Sequence, residues 1–187
     1  MIATNEFKRG VKVEIDGEPL EILEHEHVKP GKGGAFVRVR FRNLKTGNIV
    51  EKTFRAGAKV KEANVEERRM TYLYREKDVF HFMDSSTFED VIIPEKVIGD
   101  KVAFLQESGE ISVILHNGFP IDVILPNFVE LKVAKTEQGV RGDTAASATK
   151  PAVMETGLVL QVPLFIREGD VIKIDTRTKE YIERVST

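Results

Sequence analysis

Residues 30 to 36 read PGKGGAF, placing one ammonium, Lys32, among three glycines just after a proline. A lysine on such a stalk could join backbone N–H groups in a phosphate cradle, act as a reactive amine, or be carried as a point cation into a narrow cleft of a polyanion. The Walker pattern is missing, because its lysine is followed by Ser or Thr and then a helix, whereas Lys32 is followed by Gly33-Gly34 and an extended run. A reactive amine needs a partner acid or a desolvated site that lowers its pKa, and neither is evident around the glycines. Pro30-Gly31 favours a turn, and Gly33-Gly34 relaxes the steric limits on the backbone. A thin tip of this kind could enter a crevice. Taken alone, the stretch also fits a hairpin tip with a solvated lysine.

A second glycine-flanked stretch, GVRGDT at 139–144, offers Arg141, Gly142, Asp143 and Thr144. It reads either as a plain loop or as a contact in which Arg141 meets phosphate while Asp143 and Thr144 bond ribose or base edges. His25 and His27 stand two apart on an extended run, with no third ligand in view, so no metal site is expected. His81 and His116 lie in strand patterns as packed or surface residues. Ser85-Ser86 lacks the G-x-S-x-G elbow of a serine nucleophile. No catalytic constellation is found, and an enzyme is not expected.

The elements that would carry these residues are strands. In AFVRVRFRN (35–43), Val37, Val39 and Phe41 face one way and Arg38, Arg40 and Arg42 the other. Thr46-Gly47-Asn48 and Asn117-Gly118 mark hairpins. MTYLYR, DVFHFMD and EDVII follow at barrel spacing, with Tyr72, Tyr74, Phe80 and Phe82 alternating as core residues would. Only 94–107 and Ala58–Val65 could hold a short helix or turn. The pattern argues for small all-β barrels. Residues 8–23 and 168–182 share a glycine, alternating apolar positions, an Asp, a turn and a return strand, a common barrel-opening pattern.

The 187 residues contain no cysteine, which excludes a disulfide framework and Cys-based zinc sites. No apolar run is long enough to span a membrane, the N-terminus MIATNEFKRG lacks the apolar stretch of a signal peptide, and a cytoplasmic location is expected. The net charge is −2, distributed as +4 over 1–64, −6 over 65–127 and 0 over 128–187. From Val28 to Lys61 there are ten Lys/Arg and one acid, Glu51. That asymmetry points to a nucleic-acid partner on one side, against the plainer reading of a solvated sheet face. The charge seams divide the chain at 1–64, 65–127 and 128–187, each piece large enough to fold alone.

VKPGKGGAFVRVRFRNLKTG, GVRGDT and KPAVMETGLVLQVPLFIREGD resemble bacterial translation elongation factor P, end to end and in order. The last run matches that family's spaced signature at Lys150, Ala152, Gly157, Leu160, Val162, Pro163, Ile166 and Gly169. The resemblance implies an SH3-like barrel, 1–64, followed by two OB-type barrels, 65–127 and 128–187, in an L-shaped arrangement like a transfer RNA. It implies binding to both ribosomal subunits between the P and E sites, beside the P-site tRNA, and relief of stalling at consecutive prolines. Lys32 would point toward the peptidyl transferase centre, and the 139–144 loop toward the small subunit. In many lineages a modifying enzyme extends the tip lysine covalently. Modified and unmodified forms of Lys32 both fit this sequence, and no other cofactor is expected.

On this reading Lys29, Gly31, Gly33, Arg38, Arg40, Arg42, Arg141, Gly142, Asp143 and Thr144 bind RNA, and Lys32 is the tip. A monomer with no membrane partner is expected. An RNA chaperone built from the same barrel types is the alternative binding module, and a paralogue with a different translational role is another.

Overall fold

A computed structural model describes residues 1–31, 33–137 and 148–186. The chain runs β1 (Ile2–Ala3), a 3-10 turn (Thr4–Glu6), β2 (Lys12–Ile15), β3 (Glu18–Val28), β4 (Phe36–Asn43), β5 (Ile49–Arg55), β6 (Lys59–Glu62), β7 (Val65–Glu76), β8 (Val79–Asp84) and β9 (Asp90–Pro94). After the one-turn helix α1 (Glu95–Ile98) and a 3-10 segment (Gly99–Phe104) come β10 (Glu110–His116), β11 (Phe119–Ile124), β12 (Phe128–Thr136), β13 (Thr149–Met154), β14 (Val159–Pro163), β15 (Val171–Asp175) and β16 (Glu180–Ser186). No described helix is long and apolar enough to cross a membrane.

Three sheets result, ordered β1-β6-β2-β3-β4-β5, β11-β10-β7-β8-β9 and β14-β13-β12-β15-β16. The expected all-β fold is present. Helix α1 and the second 3-10 segment fall inside 94–107 as expected, while the 3-10 turn at Thr4–Glu6 lies outside the stretches where the sequence suggested one. Ala58–Val65 is different: Lys59–Glu62 is strand β6, paired with both β1 and β2. Its alternating Lys59-Val60-Lys61-Glu62 buries Val60 part-way against the first core, which a strand does in four residues and a helix does not.

The first core is Phe7, Val13, Leu20, Ile22, Val37, Val39 and Phe41. Phe54 meets both Phe7 and Phe41 edge-on, with ring centroids 6.0 and 6.1 Å apart. The alternation of β4 holds: Val37, Val39 and Phe41 are buried, and Arg38, Arg40 and Arg42 are exposed. In the second sheet Tyr72 packs on Phe80 and Phe82. Tyr74 departs from the expected core alternation and is 48% exposed. A bulge at Leu73 breaks the β7–β8 register between Tyr72 and Tyr74, and one inserted residue moves the next side chain to the opposite face. Tyr74 then stacks outside on His81, with ring centroids 4.4 Å apart.

The third core gathers Leu131, Val133, Ala152, Met154, Leu160, Val162, Ile166, Ile172 and Ile174. Four signature residues, Ala152, Leu160, Val162 and Ile166, are therefore packing residues. Lys150 is also buried, its Nζ donating to the Glu137 carbonyl at 2.6 Å. By contact density the described chain divides into Met1–Arg68 with Val113–Asp122, and Arg69–Ser112 with the remainder.

Candidate nucleic-acid interface

The finger is the β3–β4 hairpin. Its last cross-strand pair before the tip is Val28 with Phe36, followed toward the base by His27 with Val37, Glu26 with Arg38, His25 with Val39 and Glu24 with Arg40. Lys32 lies outside the described residues. On either side of it Gly31 and Gly33 are exposed, as is Lys29. Gly33 has φ +112, a backbone conformation that L side chains rarely adopt. An added Cβ there would meet only Pro30 Cγ at 3.8 Å, an ordinary contact. The backbone conformation, not crowding, is what calls for glycine at 33.

The arginines form one column down the middle strand of three. Across β3, β4 and β5 the outward rows are Glu26–Arg38–Thr53, Glu24–Arg40–Glu51 and Glu21–Arg42–Ile49, closed at the finger end by Val28–Phe36–Arg55. Arg40 Nη1 lies 2.9 Å from Glu24 Oε2, Arg38 Nε 3.5 Å from Glu51 Oε1, and Arg42 Nη1 3.8 Å from Glu21 Oε2. Lys45, Lys52 and Lys61 pair with Glu18, Asp16 and Glu14. Six of the ten cations between Val28 and Lys61 thus face carboxylates, and five of the six acids come from residues 14–24, ahead of the basic stretch. The one-sided positive face read from the sequence is a mixed-charge lattice. Among the described residues, Lys29, Arg55 and Lys59 have no ion pair. Arg55 was not singled out by sequence reasoning; its signal was its place opposite Phe36, beyond the Gly47 turn.

Elsewhere, His25 and His27 meet edge-on, with centroids 5.6 Å apart. Among the described residues no three metal-ligating side chains stand together. His81 is buried with Nδ1 3.0 Å from Asp90 Oδ2. Ser86 sits in a turn organised by Asp84, whose Oδ1 accepts the Ser86 and Thr87 amides at 2.8 and 3.1 Å. Arg141, Gly142, Asp143 and Thr144 lie outside the described residues.

Among titratable groups, Glu14 is held below the usual carboxylate range, chiefly by the hydrogen bond from Lys61, with further lowering from His116 and Asn117 and partial opposition from burial. Glu18 is lowered by Lys45 and then Asn43. Among the described residues, the arrangement presents the exposed Lys29 and the arginine column on a thin two-stranded scaffold, a disposition that suits phosphate.

Three family models cover the chain. The elongation factor P KOW-like domain matches residues 3–60, the elongation factor P OB domain 65–123, and the elongation factor P C-terminal model 129–184. Elongation factor P of Natranaerobius thermophilus is 54% identical over 185 residues, 99% of this chain and 98% of that one. Elongation factor P of Moorella thermoacetica is 52% identical over 184 residues, 98% of this chain and all of its own. Among solved structures, eukaryotic translation initiation factor 5A from Methanococcus jannaschii matches 66% of this chain and 92% of its own, with TM-score 0.53 and 29% identity. The sheets and these domain descriptions agree with an SH3-like barrel followed by OB-type barrels.

Proposed function

The chain belongs to the elongation factor P family and is a translation elongation factor; from that premise we propose that it binds the ribosome beside the P-site peptidyl-tRNA and stimulates peptide-bond formation, relieving stalling at consecutive prolines. In this reading residues 1–64, 65–127 and 128–187 are the three barrels, and the protein works in the cytoplasm on both ribosomal subunits. The observation that carries it is the finger. Two paired strands lead to a glycine-flanked tip, with an arginine column behind it.

Proline's ring fixes its backbone and gives poor geometry for attack, both as donor and as acceptor. Alignment of nucleophile and ester is then the missing quantity. Holding two reacting groups in line lowers a barrier without any acid, base or nucleophile from the factor. Lys32 supplies a thin cation that orders the acceptor end of the P-site tRNA. Lys29, Gly31, Gly33, Arg38, Arg40 and Arg42 line the RNA along the finger. Arg141, Gly142, Asp143 and Thr144 contact RNA on the small-subunit side. A lysine-modifying enzyme extending Lys32 would lengthen the same probe, and intact-mass measurement of protein from its native host reads any such addition directly.

The test is a reconstituted translation assay on a message encoding consecutive prolines. Lys32→Ala should fold as the parent does, co-sediment with ribosomes, and lose most relief of the stall. Full relief by that variant would remove Lys32 from the mechanism.

A further inference from the structure

Glu14 is a carboxylate where a barrel has little reason to bury one. Val13 before it is fully buried in the first core, so Glu14 points away from that core on β2. Its side chain is nevertheless only 14% exposed. What covers it is the β10–β11 turn. His116, itself 7% exposed, has Nε2 at 3.0 Å from Glu14 Oε2. Asn117 Nδ2 reaches the same oxygen at 3.5 Å, while Lys61 Nζ donates to Oε1 at 2.8 Å. The Asn117 amide donates to the Asn64 carbonyl at 3.0 Å. Asn117 and Gly118 both hold positive φ, +53 and +82, so the turn that presents His116 is a tight, fixed one.

A seam built only for stability would be apolar, because burying a charged group costs free energy that its partners at best offset. A fully partnered polar seam instead admits one geometry and penalises the others. Glu14 takes donors from three places at once: β6 through Lys61, the end of β10 through His116, and the turn through Asn117. We propose that Glu14 is a positioning residue: it locks the β10–β11 turn onto the barrel that carries the finger, so that the two move as one body. The functional half of this inference rests on the ribosomal reading above; the structural half does not.

The charged and titratable groups facing the seam are Lys61 on β6, His116 on β10 and Glu18 on β3. Glu18 is held by Lys45 and Asn43 and also feels His116. Protonating Glu14 removes the acceptor that Lys61 and His116 share. Because its carboxyl is held below the usual range, the lock is complete above that range and is lost as the pH falls through and below it.

Two variants of the full chain, Glu14→Gln and Glu14→Ala, test this by amide hydrogen exchange at Asn117 and by the translation assay. In Glu14→Gln the Asn117 amide should exchange about tenfold faster, the equivalent of one hydrogen bond of net stability. The parent should lose that protection at acid pH, and Glu14→Gln should show no such pH dependence. The concentration of factor giving half-maximal relief should rise several-fold while the rate at saturation stays close to the parent's, because only pre-organisation is lost. Unchanged Asn117 exchange in Glu14→Ala would overturn the lock. Faster exchange with an unchanged half-maximal concentration would overturn its positioning role. If the parent itself gives no relief of the stall, the functional reading fails, and the exchange data still decide whether the lock exists.

Discussion

Arg40 Nη1 lies 2.9 Å from Glu24 Oε2, directly across the β3–β4 hairpin that leads to the tip. Both side chains are about half exposed or more, at 47% and 69%, so the pair contributes only about 0–1 kcal/mol to folding. Arg38 with Glu51 is comparably exposed, and Arg42 with Glu21, whose carboxylate is less exposed, is held only loosely at 3.8 Å. Exposed pairs this weak can exchange a carboxylate for a phosphate at little cost. On the proposed ribosomal reading, the intramolecular acids keep the arginines extended and spaced along β4 until an RNA backbone replaces them.

That exchange gives the first prediction. Arg40→Ala should leave unfolding free energy within about 1 kcal/mol of the parent. It should also reduce the salt dependence of ribosome binding by about one unit of log–log slope, as the loss of one phosphate contact requires. Glu24→Gln should bind more tightly than the parent, because Arg40 no longer has to leave a carboxylate. Co-sedimentation over a salt series measures both. An unchanged slope in Arg40→Ala would mean that Arg40 serves only the lattice.

How far the sequence disclosed this depends on which residues sit opposite which. The alternation of β4 and the hairpins at Gly47 and Gly118 were legible because a period of two and a turn dipeptide are local properties. The charge lattice was not. All but one of the acids that face these cations, Glu51 being the exception, precede Val28 in the chain, so a window opening at Val28 counts cations whose partners mostly stand outside it. Tyr74 was misassigned for a related reason: the bulge at Leu73 shifts the alternation by one, and no residue type announces it. Glu14 and His116 are 102 positions apart and meet only after folding. The spaced positions near the C-terminus were recognisable as a family pattern, yet Ala152, Leu160, Val162 and Ile166 turn out to be core.

Phe41 sets the scale of core effects in the finger-bearing barrel. It is fully buried and meets Phe54 edge-on. Phe41→Ala removes a whole ring and leaves a cavity beneath β4, so it should cost about 3–5 kcal/mol. Urea unfolding should show a midpoint shift of that size, and the variant should lose stall relief because the finger has lost its base. A cost below 1 kcal/mol would mean that the barrel collapses around the gap.

Gly33 and Gly34 separate conformation from space at the tip. Only Gly33 holds a positive φ, +112, and neither position would crowd an added Cβ. Gly33→Ala should therefore strain the turn by about 1–3 kcal/mol. Gly34→Ala should be neutral or stabilising by up to about 1 kcal/mol through the unfolded chain. Thermal unfolding of the two variants side by side measures the difference. In the translation assay Gly33→Ala should lose more activity than Gly34→Ala. Equal behaviour would show that the left-handed turn is not what carries the tip.

The acid limb of stability should carry a mark from Asp175. Its Oδ2 accepts Arg177 Nη2 at 2.6 Å, and its Oδ1 accepts Arg177 Nε at 3.1 Å and the Arg177 amide at 2.9 Å. These bonds, the side-chain one first, hold its carboxyl down to about 2 from an ordinary 3.8, and the same pairing raises Arg177. A group whose pKa is lower when folded stabilises the fold above its unfolded value and loses that contribution as the pH falls through the folded one. The parent should therefore exceed Asp175→Asn in unfolding free energy by a constant amount above pH 3.8, and the gap should close as the pH approaches 2. Denaturant unfolding at a series of pH values tests this. A gap that stays constant down to pH 2 would mean that Asp175 acts by shape and hydrogen-bond count alone, with its charge irrelevant to the β15–β16 turn.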